Sequence, residues 1–354
     1  MNYWSNLTKG LEPYVPGEQP QDRKYIKLNT NENPYPPSPK VLEAIKESKL
    51  KNLRLYPDPE SSDLKEKLSE YYNIEKKQIF IGNGSDEVLA FSFMAFFNPG
   101  QAILFPQITY SFYPVYCNLF RIDYQTISMN QDFSIDLLGF NKNNGGVIIP
   151  NPNAPTGICL TLKEIKKILN YNKETVVIID EAYIDFGGES AISLIDDYPN
   201  LLVVQTLSKS RALAGMRIGF AFGNESLIEG LTRVKNSFNS YTIDRLAQIA
   251  AIKSLDDQGY FLSIKEKVIK TRQSTAEKLK KLGFVVLPSK SNFLFITHPD
   301  NFAADIFKWL KKEGILVRYF KEKGIDNYLR VSIGTKNEMA VFLEKIEQYL
   351  RSDK

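Results

Sequence analysis

Leu201-Leu202-Val203-Val204-Gln205-Thr206-Leu207-Ser208-Lys209-Ser210, with Arg217 eight residues past the lysine, is the stretch on which the fold turns. Leu201 to Gln205 is apolar almost without a break. Such a run marks a strand buried on both faces, not the in–out alternation of a half-solvated one. A hydroxyl-rich turn follows, then a lysine, then an arginine. That order suits a lysine carried off the end of a buried strand into a corner that binds an anion. A lysine amine so placed can make a Schiff base with a carbonyl. Most lysines are solvated surface charges, however, so the reading depends on what stands before and after this one.

Working outward, similar short runs recur at Ile79 to Ile81, Ala102 to Phe105, Val147 to Ile149 and Val176 to Ile179. Segments with helical spacing lie between several of them, among them Leu64-Leu68-Tyr71 and Ser85 to Phe97. Buried strands alternating with helices predict an α/β unit with a largely parallel sheet flanked by helices. Sheets of this kind bind ligands beyond the carboxyl ends of their strands. The polar residues after each run therefore carry the functional question: Gly84-Ser85, Asn151 to Gly157, Asp180 to Tyr183 and Ser208-Lys209. Past about residue 240 the rhythm changes. Long helical stretches at Ile243 to Leu255 and Tyr260 to Leu282 precede strands at Phe284 to Leu287 and Phe293 to Ile296. A helix (Phe302 to Lys312), strands at Ile315 to Tyr319 and Leu329 to Ile333, and a helix from Asn337 complete a smaller α+β unit. The first 40 residues, rich in Pro, Asn and Tyr, predict an extended arm and not a helix. The expected division is an arm over 1–35, a large unit over 36–240 and a small unit over 241–354. Together these give an α/β large domain with a mostly parallel mixed sheet, plus a smaller α+β domain.

Composition narrows the chemistry. At 354 residues the chain is long for a single core, and two domains are expected. Its 43% hydrophobic and 24% charged content, with net charge +4, is that of an ordinary globular protein with no pronounced nucleic-acid charge signature. The longest apolar stretch, near Val88 to Phe97, is too short to span a bilayer, and the start of the chain lacks the pattern of a signal peptide. With only Cys117 and Cys159, far apart, neither a disulfide framework nor a zinc cluster is expected, and a reducing cytoplasm is. His298 is the single histidine, so no histidine triad and no metal centre is expected. Acid–base work must then fall to Lys, Asp, Glu or Tyr, and the harder chemistry to an organic cofactor.

Three motifs supply a setting for Lys209. Gly82-Asn83-Gly84-Ser85-Asp86-Glu87 lies at a strand-to-helix junction, where the first-turn N–H groups can face an anion. Ser85 could equally be a plain N-cap, and the stretch is not the GxGxxG dinucleotide fingerprint. Pro150-Asn151-Pro152-Asn153-Ala154-Pro155-Thr156-Gly157 is a rigid, amide-bearing turn after a buried strand. Asp180, in Asp180-Glu181-Ala182-Tyr183, puts a carboxylate at the end of an apolar strand. There it is either satisfied by amides or paired with a buried cation such as a protonated pyridine nitrogen.

In this order and spacing the motifs resemble those of the fold type I aminotransferases, which use pyridoxal 5'-phosphate (PLP). Pro13-Tyr14-Val15-Pro16-Gly17, Leu28 to Pro34, Leu55-Tyr56-Pro57 and Leu329 to Thr335 resemble, more narrowly, the histidinol-phosphate aminotransferases. The resemblance implies Lys209 as the Schiff-base lysine and proton shuttle. It implies Asp180 opposite the pyridine nitrogen, Tyr183 on the ring's phenolic oxygen and Tyr110 on the ring face. Ser208, Arg217, Thr206 and the amides around Gly84, Ser85 and Asp86 would hold the cofactor phosphate. Tyr56 would reach the phosphate of a neighbouring subunit, which implies a homodimer with shared sites. Arg330 and Arg318 would bind the substrate's anionic group, with Tyr14 and the Asn31-Glu32-Asn33 loop closing over it; Asn33 is the substrate contact expected there. Where the family has Asn before Pro-Thr-Gly this chain has Ala154, so Asn153 is expected to substitute or Tyr183 to act alone.

The implied reaction moves an amino group from L-glutamate to imidazole-acetol phosphate, giving L-histidinol phosphate and 2-oxoglutarate. A threonine-phosphate decarboxylase or an aromatic amino-acid aminotransferase would carry similar motifs. A nicotinamide dehydrogenase lacks its fingerprint here, and a PLP-fold regulator would need a DNA-binding domain for which the arm is too short and too rich in proline.

Overall fold

The apolar run at Leu201–Thr206 forms a strand whose successive side chains enter two different cores. Leu201 and Val203 face one, Leu202 and Val204 the other. Neither face meets water, which is why the sequence shows no alternation. The computed structural model describes residues 3–48 and 50–352; Met1 and Asn2 of the expected arm lie outside them.

In chain order the strands are β1 (Ile26–Leu28), β2 (Ile79–Asn83), β3 (Ile103–Pro106), β4 (Tyr124–Ile127), β5 (Val147–Pro150) and β6 (Val177–Asp180). They continue with β7 (Leu201–Thr206), β8 (Ile218–Gly223), β9 (Val285–Val286), β10 (Phe293–Thr297), β11 (Ile315–Tyr319) and β12 (Leu329–Ser332). The helices are α1 (Asn6–Lys9), α2 (Pro39–Glu47), α3 (Ser62–Tyr72), α4 (Gly84–Phe96), α5 (Phe112–Phe120) and α6 (Leu162–Tyr171). After them come α7 (Glu225–Phe238), α8 (Arg245–Asp256), α9 (Gln258–Lys281), α10 (Ala303–Lys312) and α11 (Lys336–Ser352).

Among the described residues seven strands make one sheet in the order β2-β8-β7-β6-β5-β3-β4. The pairs β7–β6, β6–β5, β5–β3 and β3–β4 are parallel, whereas β8 runs antiparallel to both its neighbours. The mixed, mostly parallel sheet expected from the sequence is therefore present, flanked by helices. One side packs Ile79, Ile81, Ile149 and Ile179 with Leu64 and Leu68 of α3 and Ile165 of α6; the other packs Phe80, Ile148 and Ile178 with Val88 of α4, Tyr113 of α5 and Leu231 of α7. Ala247, Ala250, Ala251 and Leu255 of α8 are buried in the first of these cores.

A second sheet of five strands has the order β1-β11-β12-β10-β9. Its core holds Leu294, Ile296, Val317 and Val331, with Phe342 and Ile346 of α11 and Ile306 of α10. The arm departs from its expected extended form in one place, the short helix α1. Ser5 accepts the Thr8 N–H and caps the single-turn α1. Further on, β1 pairs in parallel with β11, Leu28 opposite Val317, so this part of the arm is an edge of the second sheet. Elements not anticipated include β4, α7 and β8. Tyr124 to Thr126 of β4 are exposed and lack an apolar pattern. The stretch that becomes β8 stands out in the sequence as a motif with Arg217, not as a strand. No helix among the described residues is long and apolar enough to cross a membrane.

Candidate active site

A cavity of about 210 Å³ opens where the carboxyl ends of β5, β6 and β7 face the second sheet. Tyr14, Ser85, Asp86, Tyr110, Asp180, Tyr183, Thr206, Ser208, Lys209, Arg217, Arg318 and Arg330 all line it. Twelve of the residues expected to act together are thus brought to one place.

Asp180 is the last residue of β6 and is 5% exposed. Its carboxylate accepts from the Tyr113 hydroxyl at 2.9 Å and from the Ala182 N–H at 3.3 Å, both neutral donors. Burial pushes its pKa up to about 6, with the two hydrogen bonds opposing the rise. A cation placed against it would reverse that shift. Tyr113 is a partner that the sequence reading missed. Its signal was the Tyr110-Tyr113 spacing, which puts both rings near one place at the start of α5; they meet edge to face at 5.7 Å.

An anion-binding corner forms where β8 presses against the start of α4. Gly84 opens the helix at φ +76°, and Asn83 is the N-cap without any side-chain cap bond. Ser85 is therefore not the cap, and the first-turn N–H groups are not blocked by one. Arg217 sits at φ +52° and its guanidinium donates to the Asp86 carboxylate at 3.0 Å, while Tyr110 donates to the other oxygen at 3.0 Å. A side chain at Gly84 would run into that guanidinium, its Cβ only 2.5 Å from the nearest nitrogen. Gly219 on β8 is equally constrained, because a Cβ there would lie 2.4 Å from both the Gly84 carbonyl carbon and the Ser85 nitrogen. Thr206 bonds the Ile218 carbonyl at 2.9 Å and lies 2.9 Å from the Ser208 hydroxyl, completing the corner.

At the mouth, Arg318 and Arg330 are direct partners across the antiparallel β11–β12 ladder. Like charges in that position repel unless an anion lies between or beside them. Their protein partners are neutral carbonyls: Arg318 reaches those of Pro16 and Val15 at 3.5 and 3.4 Å, and Arg330 that of Asn29 at 3.0 Å. Desolvation holds the Arg330 pKa below its ordinary value, and its Nε has no partner among the described residues. Tyr14 stacks on Phe112 at 4.6 Å beside these arginines.

Four expected residues, Gly84, Asn33, Asn153 and Tyr56, are not among those that line the cavity; Gly84 lies directly beneath the Arg217 guanidinium. Asn33 turns its amide to the carbonyls of Lys209 and Ser210, at 2.9 and 3.2 Å, so it holds the lysine's backbone in place of touching a ligand. Asn153 is buried behind the wall, with its NH2 donating to the Ile108 carbonyl at 3.0 Å and the Thr156 hydroxyl at 3.1 Å. Ala154 lines the cavity instead. Tyr56 is 76% exposed and stacks on Tyr241 at 4.5 Å, away from this chain's own cavity. One residue takes a larger part than expected: Asn31, a cavity-lining residue whose amide donates to the Tyr183 hydroxyl at 3.0 Å.

Residues 23–346 match the profile of the family described as aminotransferase class I and II, and the chain belongs to that family. It is 60% identical over 348 residues to a histidinol-phosphate aminotransferase of Clostridium botulinum, covering 98% of both chains. A second histidinol-phosphate aminotransferase, from Clostridium acetobutylicum, is 60% identical over 346 residues, again covering 98% of each. The fold is similar to that of a crystal structure of histidinol-phosphate aminotransferase from Sinorhizobium meliloti in complex with pyridoxal-5'-phosphate, with a TM-score of 0.91 at 24% identity over 100% of this chain and 99% of that one. Within its class, the chain is a member of the histidinol-phosphate aminotransferases.

The enzymes of this class are PLP-dependent transaminases, and the cavity fits that cofactor. The buried Asp180 facing only neutral donors suits a protonated ring nitrogen, and the α4 start with Arg217 suits a phosphate.

Two outcomes follow. The Asp180 pKa, raised from 3.8 to about 6, makes its ionisation unfavourable in the folded, cofactor-free chain. That penalty is absent below about pH 4, grows through the window and is complete above about pH 6, at an upper limit of about 3 kcal/mol. Asp180→Asn should therefore raise the melting temperature of cofactor-free protein at neutral pH but hardly at about pH 4. A Tm difference that does not change with pH would contradict this origin. Separately, Gly219→Ala should weaken PLP binding by roughly tenfold or more by moving the α4 start, as read by fluorescence titration.

Proposed function

We propose that the protein transfers the amino group of L-glutamate to imidazole-acetol phosphate, giving L-histidinol phosphate and 2-oxoglutarate, a step of histidine biosynthesis. The arginine pair carries this reading: two cations face each other across β11 and β12 and, among the described residues, hydrogen-bond to neutral carbonyls alone. A phosphate monoester and the side-chain carboxylate of glutamate are both anions of suitable reach, so one site can serve both half-reactions.

When bound, PLP supplies the carbonyl that condenses with amines and a ring that withdraws electrons from the substrate's α-carbon. The chain supplies the rest. Lys209 would offer its amine to that carbonyl and move the proton at the α-carbon, its backbone steadied by Asn33. Asp180 would keep the ring nitrogen protonated, and Tyr183 would donate to the phenolic oxygen. Tyr110, tethered to Asp86, would lie on the ring face. Ser208, Thr206, Arg217 and the amides of Gly84, Ser85 and Asp86 would hold the phosphate. Tyr14 would close over the substrate.

We further propose a cytoplasmic homodimer with shared sites. The exposed Tyr56, stacked on Tyr241 and close in the chain to the exposed Leu53 and Leu55, supports a contact between copies that brings Tyr56 to the neighbour's phosphate corner. The free thiols Cys117 and Cys159 suit a reducing compartment. For the domains we propose an arm over 1–35, a large unit and a small unit; the sequence pattern predicts that the two units meet near residue 240. The burial of α8 in the large-sheet core favours a boundary after Asp256.

Lys209→Ala should abolish turnover and the absorbance of covalently held cofactor; a purified variant that kept both would refute the assignment. Arg330→Met should lower kcat/KM for imidazole-acetol phosphate and for glutamate by at least about 100-fold, with a smaller effect on phenylpyruvate. Carbon dioxide release from threonine phosphate, without a 2-oxoglutarate-dependent half-reaction, would select the decarboxylase instead.

A further inference from the structure

Asn31 is 1% exposed and adopts φ +56°, a left-handed conformation that Asn tolerates better than most residues. Each of its polar groups is engaged. Its N–H donates to the Ser332 hydroxyl at 2.9 Å, and its backbone carbonyl accepts from the Asn292 amide at 2.9 Å. Its side-chain oxygen accepts from the Ser332 hydroxyl at 2.8 Å, and its NH2 donates to the Tyr183 hydroxyl at 3.0 Å.

The order of donors in this chain follows from chemistry. Ser332 is 2% exposed and its oxygen already accepts the Asn31 N–H, so its proton needs an acceptor, and the Asn31 side-chain oxygen is the one beside it. That fixes the amide with its NH2 toward Tyr183. An amide NH2 only donates, so the Tyr183 oxygen must accept from it. The phenolic proton is thereby turned away from Asn31, and both residues line the cavity.

We propose that Asn31 is a positioning residue that aims the Tyr183 hydroxyl proton into the cavity, so that Tyr183 donates to the phenolic oxygen of bound PLP. The inference rests on the cofactor placement given above. It assigns to the arm and β12 a task on the cofactor side of the site, where Ala154 stands at the position that carries an amide in the family's motif. A donor held on the anionic form of that oxygen lowers the pH at which the cofactor's absorbance changes. Accepting a bond from Asn31 also strengthens the hydroxyl as a donor.

The test is a pH titration of the holoenzyme's visible absorbance. Asn31→Asp turns the donor into an acceptor that captures the Tyr183 proton, and the midpoint should rise by about one unit or more. Asn31→Ala should raise it less. Asn31→Ala added to Tyr183→Phe should shift it no further than Tyr183→Phe alone, an outcome a general loosening of the fold would not give. Ser332→Ala, which leaves both members of the pair in place, provides a second route and should move the midpoint upward. Unchanged midpoints in Asn31→Asp and Ser332→Ala, or additive shifts in the double variant, would overturn the proposal. A wild-type protein with no titrating cofactor absorbance would instead overturn the cofactor placement itself.

Discussion

Asp180 stands at the end of β6 with 5% of its surface exposed, where a carboxylate stripped of water is unfavourable unless a cation faces it. The sheet accounts for its position. Pro150 on one side and Val204 on the other are its ladder partners, so it cannot withdraw to solvent without breaking two parallel pairings. Tyr113 and the Ala182 N–H relieve part of the desolvation but leave the pKa raised to about 6. The ionised carboxylate is thus in an unfavourable setting, which a cation such as a protonated ring nitrogen would relieve. Binding free energy and the electronic demand on the cofactor then have the same source, which is a common design where a charged group must be both buried and useful.

Reversing β8 within an otherwise parallel sheet lets Lys209 and Arg217 share one corner. Eleven residues leave the end of β7 and return to β8, pairing Thr206 with Gly219. That hairpin-like return brings Gly219 against the first residues of α4, and the absence of a side chain there sets the distance. The β2 strand on the far side of β8 runs straight into α4, with Gly82 opposite Gly219. Lysine, arginine and helix amides are therefore tied to three adjacent strands, and their spacing is as rigid as the ladder.

Much of this was legible in the sequence because burial on both faces leaves a plain signature. The apolar runs at β5, β6 and β7 gave strands, and the polar residues following them gave the site. What was not legible has three physical causes. Residues such as Tyr113 and Asn31 act through partners distant in sequence, Asp180 and Ser332, and no local pattern shows that. Other residues lie in the right motif but point elsewhere: Asn153 faces the Ile108 carbonyl, and Asn33 faces the Lys209 carbonyl. An amide in a rigid turn announces a hydrogen bond without saying to what. The β4 strand was missed because three of its four residues are exposed, so only its pairing with β3 marks it.

The two anion sites differ in a way that bears on turnover. In the cofactor corner Arg217 already has a carboxylate partner in Asp86, and the first-turn amides carry no net charge. Among the described residues Arg318 and Arg330 have neutral partners, backbone carbonyls and the rings of Phe293 and Phe320, and they repel each other. An anion that enters between them relieves this repulsion. Arg318 also holds the arm through the carbonyls of Val15 and Pro16, next to Tyr14. A substrate anion that drew on this guanidinium would bear on the segment that carries Tyr14. β12 then joins two parts of the site, because Arg330 on it lines the cavity and Ser332, two residues on, anchors Asn31 against Tyr183. Side chains on a strand two residues apart point the same way, so a shift of β12 that follows the substrate anion would move the Ser332 anchor with it.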